Sequence, residues 1–184
     1  MRLALIPHPD TPCTAVSRIE VDVERPGPRR LELTCRVIGV IGDLRLPPPS
    51  PSVRADELWR HTCFEAFVRS PDDAGYREFN LSPSTRWAAY RFTGYRSGMS
   101  ILNGIAPPRI EVSSDETSVE LRAWLDPAAL ADLPADGPWR LGLSAVIEDA
   151  AGGISYWALA HPPGKADFHH ADCIAAQLMA PQQP

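Results

Sequence analysis

Apolar and polar residues alternate along most of the chain with a period of two. This period places successive side chains on opposite faces of an extended strand, so each segment has one face that can be buried. Segments that are too short for helices and rich in apolar or aromatic residues are also predicted to be strands. The predicted strands cover residues 19–24, 31–37, 62–69, 76–81, 86–92, 119–125, 141–147, 154–160 and 173–179.

Proline residues separate these segments and support their assignment as strands. The chain has 20 prolines among 184 residues, and proline belongs at strand ends and in loops because it cannot donate to a sheet. Asp126, followed by Pro127 and a run of Ala and Leu, predicts one short helix capped by Asp126. Eight to eleven short strands with one helix predict an all-β fold: an antiparallel β-sandwich of jelly-roll type. The length predicts a single domain over residues 1–184.

Composition excludes several classes of protein and of partner. Apolar residues make up 44% and charged residues 22%, as in an ordinary globular domain, and no apolar run is long enough for a transmembrane helix. The net charge is −5 and no basic cluster exceeds Arg29 and Arg30, so neither nucleic acid nor an anionic membrane is expected as a partner. The N-terminal residues lack the apolar region of a signal peptide, which predicts a cytoplasmic location. The sequence does not predict an oligomeric state.

The common catalytic motifs are absent from the sequence. It contains no G-x-S-x-G, no H-E-x-x-H, no P-loop and no G-x-G-x-x-G after a strand. This removes the usual nucleotide-binding and hydrolase assignments without excluding an enzyme. The absence of these motifs is compatible with a non-catalytic binding domain that needs no cofactor.

Two predicted strands carry acidic side chains in unusual surroundings. Glu65 interrupts the apolar segment 63–67, while Glu78 and Asn80 share a strand face with Tyr76. Burying a carboxylate costs free energy unless it is paired. Glu65 is therefore expected either to bind ligand hydroxyls or to occupy an edge position or an ion pair with arginine. The face that carries Glu78 is compatible with a ligand or with simple exposure to solvent.

The order of aromatic and polar residues resembles a known family. Trp59 precedes the strand of Glu65, the strand 76–80 ends in asparagine, and an aromatic loop at 157–170 precedes the last strand. Together these features resemble the type 9 carbohydrate-binding modules and the wider DOMON-like domains, over roughly residues 15–180. The resemblance implies a β-sandwich in which two aromatic side chains clamp a sugar ring and polar strand residues bind its hydroxyls.

The resemblance also implies which residues bind the ligand. Trp59 matches the first residue of the aromatic clamp, Phe168 stands in the place of the second, and Glu65 and Asn80 match polar contact positions. Such a site suits a sugar because its C–H faces stack on aromatic rings while hydrogen bonds fix its orientation. The expected ligand is a saccharide or a sugar-containing metabolite. The residues expected to bind it are Trp59, Glu65, Glu78, Asn80, Lys165, Phe168 and His169.

The segment 161–170 supports two other hypotheses. It contains three of the five histidines together with Asp167, and imidazole and carboxylate ligands suit a divalent metal. A metal-dependent enzyme would use His161, Asp167 and His169. Related DOMON domains can instead hold haem through axial histidine and methionine ligands, and Met99 is then the candidate methionine.

Overall fold

Twelve β-strands form most of the regular structure of the computed structural model, which describes residues 1–181. This confirms the all-β prediction. Within the described residues no helix is long and apolar enough to cross a membrane. The strands are β1 (Arg2–Pro7), β2 (Val16–Glu24), β3 (Glu32–Gly39), β4 (Cys63–Arg69), β5 (Tyr76–Leu81), β6 (Trp87–Phe92), β7 (Ser100–Ile101), β8 (Arg109–Ser114), β9 (Ser118–Trp124), β10 (Trp139–Glu148), β11 (Ile154–Ala158) and β12 (Ala176–Leu178).

The strands pair antiparallel in one continuous order that folds back on itself. The order is β7-β6-β5-β4-β10-β11-β1-β2-β3-β9-β8, and β12 pairs with the first residues of β10. Strand β1 joins the two halves, because its residues 2–5 pair with β2 while Ile6 and Pro7 pair with β11. The sheet therefore forms two layers. The predicted antiparallel β-sandwich is confirmed.

The main hydrophobic core lies between these two layers. On β4, Phe64, Ala66 and Val68 point into this core and are almost completely buried. Since side chains alternate along a strand, Glu65 and Phe67 lie on the opposite face of the same layer. That second face carries a smaller apolar cluster that includes Phe67. The alternation thus directs Glu65 away from the core and towards the candidate site.

Three strands were not predicted from the sequence, and the last predicted strand is less than half as long as expected. Strand β1 was missed because it is divided between the two layers. Strand β7 is only two residues long, and strand β8 has no buried residue. At the C-terminal end, residues 173–179 form strand only at Ala176–Leu178. The residues before it, Ala171–Cys173, form a 3-10 turn because the His170 side chain accepts a hydrogen bond from the Asp172 N–H.

The short helix predicted after Asp126 is confirmed as a 3-10 helix at Pro127–Leu130. The Asp126 carboxylate accepts hydrogen bonds from the N–H of Ala128 at 3.1 Å and of Ala106 at 2.6 Å. We expect Asp126→Ala to lower the free energy of unfolding by about 1–2 kcal/mol, because both N–H groups lose their acceptor. Asp126→Asn retains one carbonyl acceptor and should lose about half as much. Urea unfolding measures both, and an alanine variant as stable as the wild type would contradict the cap.

Candidate functional site

A cleft of about 850 Å³ opens on the face of the β4–β5–β6 layer that points away from the core. This volume lies within the range of about 300–1,000 Å³ that is usual for small-molecule sites. The strands form its floor, and loops near residues 8–11, 56–59, 96–99 and 165–169 form its walls. Its lining residues are His8, Asp10, Thr11, Asp56, Glu57, Trp59, Glu65, Glu78, Tyr90, Phe92, Arg96, Met99, Ile101, Val146, Tyr156, Lys165, Ala166, Phe168 and His169.

The structure brings most of the predicted ligand residues together in this cleft. Those that line it are Trp59, Glu65, Glu78, Lys165, Phe168 and His169. Asn80 is the exception: it is fully buried, and its side-chain amide donates a hydrogen bond to Glu78 Oε1 at 2.7 Å. Asn80 is thus the one predicted ligand residue that does not line the cleft. Its amide instead fixes the orientation of the neighbouring carboxylate.

Two carboxylates, Glu65 and Glu78, form the polar part of the cleft floor. Glu65 is only 6% exposed and Glu78 only 5%. Glu65 Oε2 accepts a long hydrogen bond from Ser144 Oγ at 3.4 Å. Neither structural alternative considered for Glu65 applies, because β4 lies between β5 and β10 and no arginine or lysine of residues 1–181 pairs with it. The face of Glu78, for which solvent exposure was an alternative, is buried.

Burial changes the protonation of this pair. Loss of solvation, followed by the nearby charge of Glu78, raises the pKa of Glu65 to about 8. Burial also raises the pKa of Glu78, although the hydrogen bond from Asn80 and the positive charge of Arg96 oppose this effect. Two coupled carboxylates in this state hold a proton near neutral pH. The floor can therefore both donate and accept hydrogen bonds.

His169 is a neutral polar group beside these carboxylates. The Tyr76 hydroxyl lies 2.7 Å from His169 Nδ1 and accepts a hydrogen bond from the Arg96 N–H at 3.3 Å. The hydroxyl proton can therefore point to Nδ1, which leaves the ring proton on Nε2, 3.8 Å from Glu78 Oε2. Burial, followed by the positive charge of Arg96, lowers the pKa of His169 to about 4. Stacking of Tyr76 on Phe92, with ring centroids 4.7 Å apart, holds this arrangement in place.

The aromatic residues of the cleft differ in how much surface they present. Trp59, on the 3-10 turn Leu58–Arg60, is 48% exposed. Phe168 is almost fully buried and packs edge-on against Tyr156, with ring centroids 5.9 Å apart. Trp59 is thus the most exposed aromatic residue of the cleft, with the Arg60 guanidinium 5.5 Å from its ring centroid. Met99, the candidate haem ligand, also lines the cleft and is 61% exposed.

The three residues that were expected to bind a metal each form hydrogen bonds with a different partner. His161 Nε2 lies 2.9 Å from the Ile6 carbonyl oxygen, Asp167 accepts a hydrogen bond from Arg96 Nη2 at 2.7 Å, and His169 contacts Tyr76. Among the described residues, no three His, Cys, Asp or Glu side chains are grouped to hold a metal ion. The structure therefore does not support a metal centre formed by His161, Asp167 and His169.

Sequence reasoning missed several cleft residues that lie in loops or at strand ends. Arg96 follows β6, and His8 follows β1. The Tyr90 hydroxyl donates to Asp56 Oδ1 at 2.6 Å. Only Tyr90 carried a signal, because it lies in an aromatic strand, whereas loop residues have no periodicity that predicts their position.

Comparisons with known proteins identify the fold. No protein-family model matches the chain, and no curated protein matches its sequence. A protein from Bacteroides uniformis considered to bind carbohydrate is similar in structure, with a TM-score of 0.70 and 16% identity over 94% of this chain and 83% of that chain. A family 9 carbohydrate-binding module from Caldicellulosiruptor kristjanssonii, solved in complex with glucose, has a TM-score of 0.52 and 9% identity over 91% of this chain and 78% of that chain. At such identities the similarity establishes the β-sandwich fold that the resemblance implied.

Proposed function

We propose that this protein is a non-catalytic saccharide-binding domain whose ligand occupies the cleft. One observation carries the proposal: the cleft combines the exposed ring of Trp59 with the buried polar groups of Glu65, Glu78 and His169. Apolar walls with a few fixed polar groups are typical of small-molecule sites. The likeness in fold to a module solved in complex with glucose supports the same ligand class.

The two kinds of surface suit the two kinds of group on a sugar. The C–H face of a pyranose ring would stack on Trp59, and its hydroxyls would exchange hydrogen bonds with the floor. The floor is suited to this because a carboxyl that holds a proton donates, an ionised one accepts, and a neutral imidazole can do either. Lys165, which is exposed at the wall, would contact the outer side of the ligand.

We expect sugars from a panel of monosaccharides, oligosaccharides and nucleotide sugars to raise the melting temperature in a dose-dependent way. A ligand that binds only the folded state stabilises it by mass action. We expect Trp59→Ala to weaken binding roughly tenfold, because stacking on an aromatic ring contributes about 1 kcal/mol or more. Thermal shift and calorimetric titration measure both effects.

Val53→Ala is the matched control for this substitution. Val53 is an exposed apolar residue, 47% accessible, that does not line the cleft. Its replacement should leave the affinity unchanged. If Trp59→Ala binds sugar as tightly as the wild type, the ligand does not stack on this residue. If no sugar shifts the melting temperature, saccharide binding is wrong.

A further inference from the structure

The cleft floor holds two buried carboxylates that lack a cation of their own. Glu65 is more than nine-tenths buried, and its Oε1 atom has no hydrogen-bond partner within residues 1–181. The nearest ionisable nitrogen to Glu78 is His169 Nε2, at 3.8 Å from Oε2. His169 is neutral at physiological pH because burial lowers its pKa. The protein thus leaves acceptor capacity and negative charge directed at the cleft.

The basic residues of the cleft form no ion pair with the carboxylates of the floor among the described residues. Arg96 directs its guanidinium to Asp167, with hydrogen bonds of 2.7 Å from Nη2 and 3.2 Å from Nε. Lys165 is exposed at the wall and forms no ion pair among the residues that the structure describes. Among the acidic lining residues, Glu57 forms an ion pair with Arg60, whereas Asp10, Asp56 and the Glu65–Glu78 pair have no lysine or arginine partner among residues 1–181.

A ligand that brings its own cation would compensate for this imbalance. Charge-assisted hydrogen bonds from an ammonium group to a carboxylate are stronger than those of a neutral hydroxyl. An anionic sugar would instead face like charges, which oppose binding. On the premise of the proposed saccharide function, we propose that the cleft selects sugars with a positively charged amine, whose ammonium nitrogen lies against the Glu65 and Glu78 carboxylates.

Proton release is a second consequence of this arrangement. Burial and mutual repulsion raise the pKa of Glu65, and an adjacent ammonium group would lower it again. Binding of an amino sugar should therefore expel a proton from the carboxylate pair, whereas a neutral sugar should not. The other titratable or charged groups that act on the pair from neighbouring strands and loops are Cys63, Tyr76, Tyr90, Arg96 and His169, and Asp167 acts indirectly as the partner of Arg96.

The test compares ligands that differ at one position of the ring. Glucosamine, N-acetylglucosamine and glucose carry an ammonium, an acetamide and a hydroxyl at carbon 2, and each is titrated as the monosaccharide and as the β-1,4-linked trimer. Calorimetry at about pH 7 should show the amine bound at least tenfold more tightly than its neutral counterparts. Repeating the titration in two buffers of different ionisation enthalpy should show proton release with the amine alone.

Two variants separate the carboxylate pair from general electrostatics. Glu65→Gln keeps the size of the side chain and should reduce the preference for the amine to less than twofold. Glu116→Gln removes the same formal charge from an exposed residue outside the cleft and should leave the preference intact. The proton release by the wild type does not depend on the folding of either variant.

The outcomes distinguish this inference from the proposed function. Equal affinity for the amine and hydroxyl sugars would overturn the amine preference and leave saccharide binding standing. Tight binding of ethanolamine, a simple amine without a sugar ring, would overturn the assignment to sugars. Absence of binding by every sugar would overturn both proposals.

Discussion

Replacing Arg25 by methionine is expected to lower the free energy of unfolding by about 2–4 kcal/mol, because five partly buried carbonyl acceptors lose their donor. Arg25 is 8% exposed, and its guanidinium lies 3.6 Å from the centroid of the Trp139 ring. The two terminal nitrogens of the guanidinium donate hydrogen bonds that connect the end of β2 with the loop before β10 and with the C-terminal segment. The carbonyl oxygens that accept these hydrogen bonds belong to Pro28, Pro134, Ala135, Gly137 and Met179, at 2.7–3.3 Å.

The lysine variant and a neighbouring arginine make this prediction specific. Arg25→Lys keeps the charge but has only three donors and no planar fork, so we expect it to lose roughly half as much stability. Arg30→Met is the matched control, because Arg30 is exposed and makes no side-chain hydrogen bond or ion pair among the described residues. Urea unfolding measures all three variants. A loss below about 1 kcal/mol for Arg25→Met would contradict the role assigned to this residue.

Strands with at least one buried face could be predicted from the sequence, and strands without a continuous buried face could not. The prediction of residues 76–81 coincides with Tyr76–Leu81, since its segment is rich in aromatic residues and bounded by turn residues. Strand β8 has no buried residue, so its pattern is not distinguished from that of a loop. Strand β1 changes layers between Leu5 and Ile6, which removes any single buried face.

The floor of the site was predictable for a related reason. Glu65 interrupts an apolar strand, and such an interruption points to a special environment. The resemblance placed Asn80 among the ligand residues, but it could not show that residues two apart on one strand face can satisfy each other, as Asn80 and Glu78 do. The role of Arg25 could not be predicted from the sequence, because its hydrogen-bond partners at Pro134 and Met179 come near it only through the tertiary fold.

The wild-type protein is expected to lose stability as the pH rises from 6.5 to 8, and Glu65→Gln is expected to avoid most of this loss. The pKa of Glu65 is about 8 in the folded protein, against an ordinary value of 4.5. The Glu65 carboxyl of the unfolded chain therefore loses its proton at a lower pH than that of the folded protein. The contribution of Glu65 to the free energy of unfolding is complete below pH 4.5 and is lost as the pH rises to about 8. The slope is steepest at the lower end of the window and flattens near pH 8, so the loss over the window is about 1–2 kcal/mol.

The window is chosen so that other groups do not obscure this effect. The pKa of His169 is lowered from 6.5 to about 4. The contribution of His169 to the free energy of unfolding is therefore present above pH 6.5 and is lost as the pH falls to about 4. Below pH 6.5 the effects of Glu65 and His169 therefore oppose each other. Burial raises the pKa of the Cys35 and Cys173 thiols from 9.0 to about 12 and about 11, so their contribution is lost only above pH 9. Glu78, whose pKa is also raised, acts in the same direction as Glu65.

Urea unfolding at four pH values across this window, without added sugar, measures the slope for the wild type, Glu65→Gln and Glu116→Gln. The wild type and Glu116→Gln should lose stability in parallel, while Glu65→Gln should retain only the smaller slope due to Glu78. Equal slopes for the wild type and Glu65→Gln would mean that Glu65 is ionised in the folded protein and already neutralised by a cation. The amine preference would then lose its physical basis, because an ammonium group can stabilise the floor only if the protein itself leaves those carboxylates uncompensated.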